Sequence, residues 1–130
     1  TDRLAEAVGS LPADIVVNIQ GDQPFVDPLM IEELVQPLLD DPSLQMSTLM
    51  HALTREESIT DPSVVKVVVD LAGNALYFSR SLIPYPREST PHAVYEHIGL
   101  YAYRKEFLIA FTHLAPTTLE QVESLEQLRA

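Results

Sequence analysis

The sequence predicts an α/β domain with a mixed sheet, and three observations predict it. Ile15-Val16-Val17 is an apolar β-branched run without alternation, which suits a strand covered on both faces of a parallel sheet. Residues 64–70 are rich in valine and lead through Ala72-Gly73-Asn74 into a second β-prone run at 75–79, the pattern of a hairpin. Between and after these, apolar residues recur at helical spacing, so helices and strands alternate along the chain.

Taken in order, Leu4, Ala5 and Val8 stand at helical spacing in residues 1–8, with Gly9 as the stop. Strand 14–20 runs into Gln20-Gly21-Asp22-Gln23-Pro24, where glycine permits a sharp turn and proline ends the pairing. Asp27 before Pro28 is an N-cap with proline at the first helical position. The helix from about 28 to 39 is expected to bury Ile31, Leu34, Val35 and Leu38, with Pro37 loosening its last turn and Asp40-Asp41-Pro42 as the exit. Residues 46–53 read as a strand, and Thr54-Arg55-Glu56-Glu57 as a capping box opening a short helix or loop. Asp61-Pro62-Ser63 turns the chain into the hairpin, and residues 84–91 form an irregular loop with three prolines. A strand at 97–103, a helix at 105–113 and a last helix at 118–130 complete the order.

The 130 residues, 46% of them apolar, suffice for one domain, and no linker or repeat divides them. The chain starts at Thr1 and ends at Ala130 inside a helical pattern, so it is expected to be an internal part of a longer protein. Cysteine is absent, which excludes disulfides and thiolate metal sites. No apolar run approaches the roughly 20 residues of a membrane span. A net charge of −11 argues against a nucleic-acid surface, because polyphosphate backbones are met by Lys and Arg. Lys66, Arg80, Arg87, Arg104 and Lys105, five of the eight basic residues, fall between positions 66 and 105. That concentration suits the handling of a small anion; ordinary pairing with surface carboxylates is the alternative.

Four groups of residues are candidates for chemistry. Asp22 follows the carboxyl end of a strand, where α/β sheets place ligands, and its carboxylate could hold a metal or merely cap the turn. His97, Gly99, Tyr101 and Tyr103 share one side of their strand, with His97 and Tyr101 roughly 13 Å apart at about 3.3 Å per residue. Gly99 leaves a notch between them, open to a ligand or to a neighbouring element. In the last helix the apolar arc runs through Leu119, Val122, Leu125 and Leu128, and Glu126 falls inside it, about 20° from Leu119, with Gln127 beside it. A carboxylate there needs a partner or a route to solvent. Arg80 at a strand end and Arg87 in the proline loop could together hold one acidic ligand, since arginine meets carboxylates bidentately. Neither a Ser/His/Asp order, a HExxH zinc pattern nor a glycine-rich phosphate loop is present.

Asn18-Ile19-Gln20-Gly21-Asp22-Gln23-Pro24, Val64-Val65-Lys66-Val67, the run from Ala75 through Ser79-Arg80 to Pro84, His97-Ile98-Gly99-Leu100-Tyr101-Ala102-Tyr103-Arg104, and the run from Leu119 through Glu126-Gln127 to Arg129 follow in order. Together with Thr1-Asp2-Arg3, these motifs resemble the 3-deoxy-manno-octulosonate (Kdo) cytidylyltransferases over essentially the whole chain. The resemblance implies a Rossmann-like nucleotide-diphospho-sugar transferase fold, α/β, with a mixed, mostly parallel sheet and flanking helices. It implies transfer of CMP from CTP to the anomeric hydroxyl of Kdo with release of pyrophosphate, in lipopolysaccharide synthesis, by a cytoplasmic homodimer that neither binds nucleic acid nor enters the membrane. By the same resemblance Asp22 is a Mg²⁺ ligand and catalytic, Gln20 contacts the sugar, and Arg80, Arg87, His97, Tyr101, Glu126 and Gln127 line the Kdo pocket. Arg3 would face the nucleotide. The family's phosphate-binding loop would precede Thr1 and a second metal-binding aspartate would follow Ala130. Residues 1–130 are therefore expected to form a single incomplete domain, inactive and marginally folded alone. A sialic-acid cytidylyltransferase and an inactive interaction module are the competing readings.

Overall fold

In the computed structural model, residues 5–6, 14–19, 27–54, 56–88 and 91–130 are described. They fall into two units, each with its own interior. The first comprises the described residues up to Leu49 together with Gly99–Leu114, and the second comprises Met50–Ile98 with Ala115–Ala130. Strands β2 (Met46–Ala52) and β5 (Tyr95–Arg104) pass from one unit into the other.

In the first unit, β1 (Ile15–Ile19) pairs antiparallel with the end of β5, from Ile15 opposite Arg104 to Ile19 opposite Leu100. Helix α1 (Pro28–Asp40) begins where the sequence predicts, with the Asp27 carboxylate accepting from Leu29 N–H at 2.9 Å and Pro28 in the first turn. It passes through Pro37 to Asp40 and turns Leu34 and Leu38 fully inward, while Ile31 and Val35 are only half-buried. Its last carbonyls are met by Arg104, whose guanidinium donates to Leu38 and Asp41 carbonyls and, at 2.6 Å, to Leu44. A cation at that end also complements the helix dipole. Helix α3 (Lys105–Thr112) contributes Leu108 and Phe111 to the interior, and Ala5, Val16, Tyr101, Tyr103 and Leu108 form one apolar cluster.

In the second unit, α2 (Glu56–Ile59) precedes β3 (Lys66–Val69), which forms the expected hairpin with β4 (Ala75–Ser79). Gly73 takes φ 87° in the turn, and Asp70 accepts from the backbone N–H of Ala72 and Asn74. The other edge of β3 pairs antiparallel with the start of β5, Lys66 opposite Glu96 and Val67 opposite Tyr95. Asp41-Pro42-Ser43 and Asp61-Pro62-Ser63 make the same turn, one in each unit. In each, the aspartate accepts from the N–H and the hydroxyl of the serine two residues on.

Two expectations are corrected. The resolved registers, β1 with β5, β3 with β4 and β3 with β5, are antiparallel, not mostly parallel. An unalternating run such as Ile15-Val16-Val17 reports burial on both faces but carries nothing about a neighbour's direction. Even the burial is partial, since of this strand only Val16 is buried and Ile19 is 45% exposed. The last helix does not run from 118 to 130: α4 (Thr118–Glu123) ends at Ser124, which adopts φ 56°, and a 3₁₀ helix, Glu126–Arg129, follows. The apolar arc drawn on a continuous helix fails with it, for Leu119 and Val122 are exposed and Leu125 is buried. Separately, the helix expected at 1–8 lies outside the described residues apart from helical Ala5 and Glu6, and Arg55 of the Thr54-Arg55-Glu56-Glu57 capping box also lies outside them, while the short helix expected there is present as α2.

Candidate functional site

The second unit gathers the end of β4, the start of β5 and the segment 123–127. Two local devices hold that last segment. Thr117 and Glu120 form a capping box, the hydroxyl accepting from Glu120 N–H and the carboxylate accepting from Thr117 N–H, both at 3.2 Å. The same Glu120 carboxylate receives Arg129 bidentately, at 2.9 and 2.5 Å, tying the 3₁₀ helix back onto α4. Arg129 beside it holds the Glu120 carboxyl below the usual carboxylate range.

Gln127 is thereby set against His97, its amide nitrogen 3.4 Å from Nδ1. His97 is 8% exposed, and its ring meets Phe78 edge-on with centroids 4.8 Å apart. Burial lowers its pKa from 6.5 to about 4, so the ring is neutral at pH 7 and Nδ1 can accept from the Gln127 amide.

Arg80 follows β4, and its guanidinium is held by backbone carbonyls. Nε donates to Glu123 at 2.8 Å, Nη1 to Pro62 at 3.0 Å and Nη2 to Ser124 at 3.3 Å. The Glu123 carboxylate is spent elsewhere, accepting from the Ser79 hydroxyl at 2.5 Å, Arg80 N–H at 3.1 Å and the Tyr77 hydroxyl at 3.3 Å. The Ser79 hydroxyl, first among these donors, lowers the Glu123 pKa. Lys66, fully buried, donates to the carbonyls of Asp61 and Arg80 at 2.6 and 2.8 Å, and desolvation lowers its pKa.

The predicted residues fare differently. His97 and Gln127 meet, and Arg80 reaches the same segment through Glu123 and Ser124. Arg87 lies exposed in the proline loop, where Pro84, Tyr85, Pro86, Arg87, Glu88 and His92 line an open depression of about 270 Å³. Glu126 is exposed at the start of the 3₁₀ helix rather than inside an apolar arc. Tyr101 belongs to the first unit, buried and stacked on Tyr103 with ring centroids 5.8 Å apart. Arg3, Gln20 and Asp22 lie outside the described residues. Of the basic residues expected to serve an anion, Lys66 and Arg104 are committed to backbone carbonyls. Glu123 was missed, and Lys66 was expected among the anion-handling cations although a lysine inside Val64-Val65-Lys66-Val67-Val68 is itself a sign of a buried cation.

Among the described residues, no three His, Asp or Glu side chains come together as a metal site, and no helix is long and apolar enough to cross a membrane. Antiparallel strands flanked by helices define an α/β protein. The chain belongs to the cytidylyltransferase family, whose model matches residues 1–130. It is 58% identical to a 3-deoxy-manno-octulosonate cytidylyltransferase of Syntrophus aciditrophicus, covering 100% of this chain and 54% of the relative. It is 51% identical to the enzyme of the same description from Pelobacter propionicus, covering 55% of that relative. A solved CMP:2-keto-3-deoxy-manno-octonic acid synthetase complexed with CTP superposes with a TM-score of 0.92 at 48% identity. That superposition covers 98% of this chain and 53% of the other. The chain thus spans about half the length of the curated relatives it matches.

Proposed function

We propose that the protein to which this chain belongs transfers CMP from CTP to Kdo, giving CMP-Kdo and pyrophosphate for lipopolysaccharide synthesis. The observation that carries the reading is the 58% identity to a Kdo cytidylyltransferase over the whole of this chain. In the reaction the anomeric hydroxyl oxygen of Kdo attacks the α-phosphorus of CTP. The bond from that phosphorus to the β-bridging oxygen breaks, the hydroxyl proton is lost, and pyrophosphate leaves.

The roles proposed for this chain's residues follow their chemistry. Arg80 and Arg87 suit the Kdo carboxylate; neutral His97, Tyr101, Glu126, Gln127 and Gln20 suit its hydroxyls. Arg3 would face the nucleotide. The Asp22 carboxylate is the hard oxygen donor that Mg²⁺ takes. When bound, Mg²⁺ would supply charge neutralisation at the reacting phosphates. Residues 1–130 would form part of one catalytic domain, working as a cytoplasmic homodimer.

The test is pyrophosphate release by the full-length protein with CTP and Mg²⁺, comparing Kdo with sialic acid and wild type with Asp22→Asn. Kdo-dependent release, reduced on the order of 100-fold or more in Asp22→Asn, is the expected result. Release with sialic acid alone would move the protein to the sister activity, and release with neither would leave an interaction module.

A further inference from the structure

We propose that Glu123 and Lys66 are positioning residues that orient the Arg80 guanidinium for the carboxylate of the acidic sugar. The inference deepens the reading of Arg80 as a Kdo ligand and rests on it. Three chain segments fix this one arginine. Its backbone N–H donates to the Glu123 carboxylate and its backbone carbonyl accepts from Lys66 Nζ. Its guanidinium donates to Glu123, Ser124 and Pro62 carbonyls. Ser124, at φ 56°, turns the chain so that two successive carbonyls reach the same guanidinium. Lys66 joins the arginine to the Asp61 turn, which also supplies the Pro62 carbonyl.

The type of acceptor matters as much as the number. A guanidinium has five N–H donors, and carbonyls take three of them here, one each at Nε, Nη1 and Nη2. Two donors remain among the described residues, one on each terminal nitrogen. The nearby Glu123 carboxylate accepts from Ser79, Tyr77 and the Arg80 backbone N–H rather than from the guanidinium, while its charge still acts on Arg80. Carbonyl acceptors orient the fork and leave its two remaining donors to a ligand, and a pre-oriented fork loses little freedom when it meets a carboxylate.

The experiment is steady-state kinetics of the full-length protein with Kdo and CTP varied separately. Glu123→Gln and Lys66→Met are each expected to raise KM for Kdo roughly tenfold, with kcat and KM for CTP within about twofold of wild type. In an Arg80→Ala background, itself raised in KM for Kdo, neither change should add anything. A merely structural role would lower stability without that non-additivity. Unchanged KM for Kdo in both positioning variants, with Arg80→Ala raising it, overturns this inference and leaves the proposed function standing. Unchanged KM in Arg80→Ala removes Arg80 from the sugar site and takes the inference with it. Should Glu123→Gln fail to fold, Ser79→Ala removes one donor to the same carboxylate; a smaller rise, again absent without Arg80, is then expected, and no rise overturns the inference.

Discussion

His97 shows how surroundings decide a side chain's charge. Phe78 covers one side of the ring, the Gln127 amide faces Nδ1, and burial lowers the pKa from 6.5 to about 4. The folded pKa lies below the unfolded value, so the unfolded chain takes up the proton first as pH falls. The stabilising contribution is complete above pH 6.5, is lost between 6.5 and about 4, and changes no further below. Its size is on the order of 3 kcal/mol. An imidazole NMR titration is expected to place the His97 midpoint near 4, and a midpoint at 6 or above would refute the burial argument. His97 and Gln127 were both legible in the sequence, one from its strand face beside Gly99, the other from its motif. Glu123 was not, because its partners Ser79 and Arg80 lie 44 and 43 residues earlier and nothing local distinguishes it among 19 acidic residues.

At the scale of elements, local chemistry was readable wherever it is complete within a few residues. The Asp27-Pro28 start, the Asp-Pro-Ser turns and the hairpin at Gly73 all appear where the sequence puts them. The last helix was misread because a periodic pattern cannot show a single left-handed residue, and serine is not the usual signal for one. Ser124 breaks the helix while its partners, the capping box and the Glu120–Arg129 pair, hold both pieces together. Thr117→Ala removes the hydroxyl that receives Glu120 N–H and is expected to cost about 1 kcal/mol of stability. Urea denaturation measures it, and Thr117→Ser, which keeps the hydroxyl, should recover most of the loss. Strand direction was unreadable for another reason: it depends on which distant strand arrives alongside, and β1 pairs with β5, far along the chain, from Ile15 opposite Arg104 to Ile19 opposite Leu100. Two of the three borders between the units were equally silent, since they fall inside β2 and β5 where no linker composition marks them.

For the whole molecule, the acid response tests whether specific contacts or net charge governs stability. The chain carries −11 at pH 7 with an isoelectric point near 4.5, so relief of self-repulsion alone would make it more stable as pH falls toward 4.5. The individual groups point the other way. Asp41, Asp61, Asp70, Glu120 and Glu123 are each held below the usual carboxylate range. The first causes are hydrogen bonds from the Ser43 hydroxyl, Ser63 N–H, Asn74 N–H, Arg129 and the Ser79 hydroxyl, respectively. A carboxyl with a lowered folded pKa stabilises above its unfolded value and loses that contribution as pH falls through the folded one. His97 loses its contribution earlier, between 6.5 and about 4. Stability of this 130-residue chain is therefore expected to decline in two stages, first as His97 is forced to protonate and then as the carboxylates are. Urea midpoints measured from pH 8 to 3 should fall through 4.5 without a maximum there. Replacing His97 with phenylalanine should flatten the first stage and leave the second. A maximum at the isoelectric point would mean that long-range repulsion outweighs these contacts, because only net charge, and none of the named groups, predicts a rise in that direction.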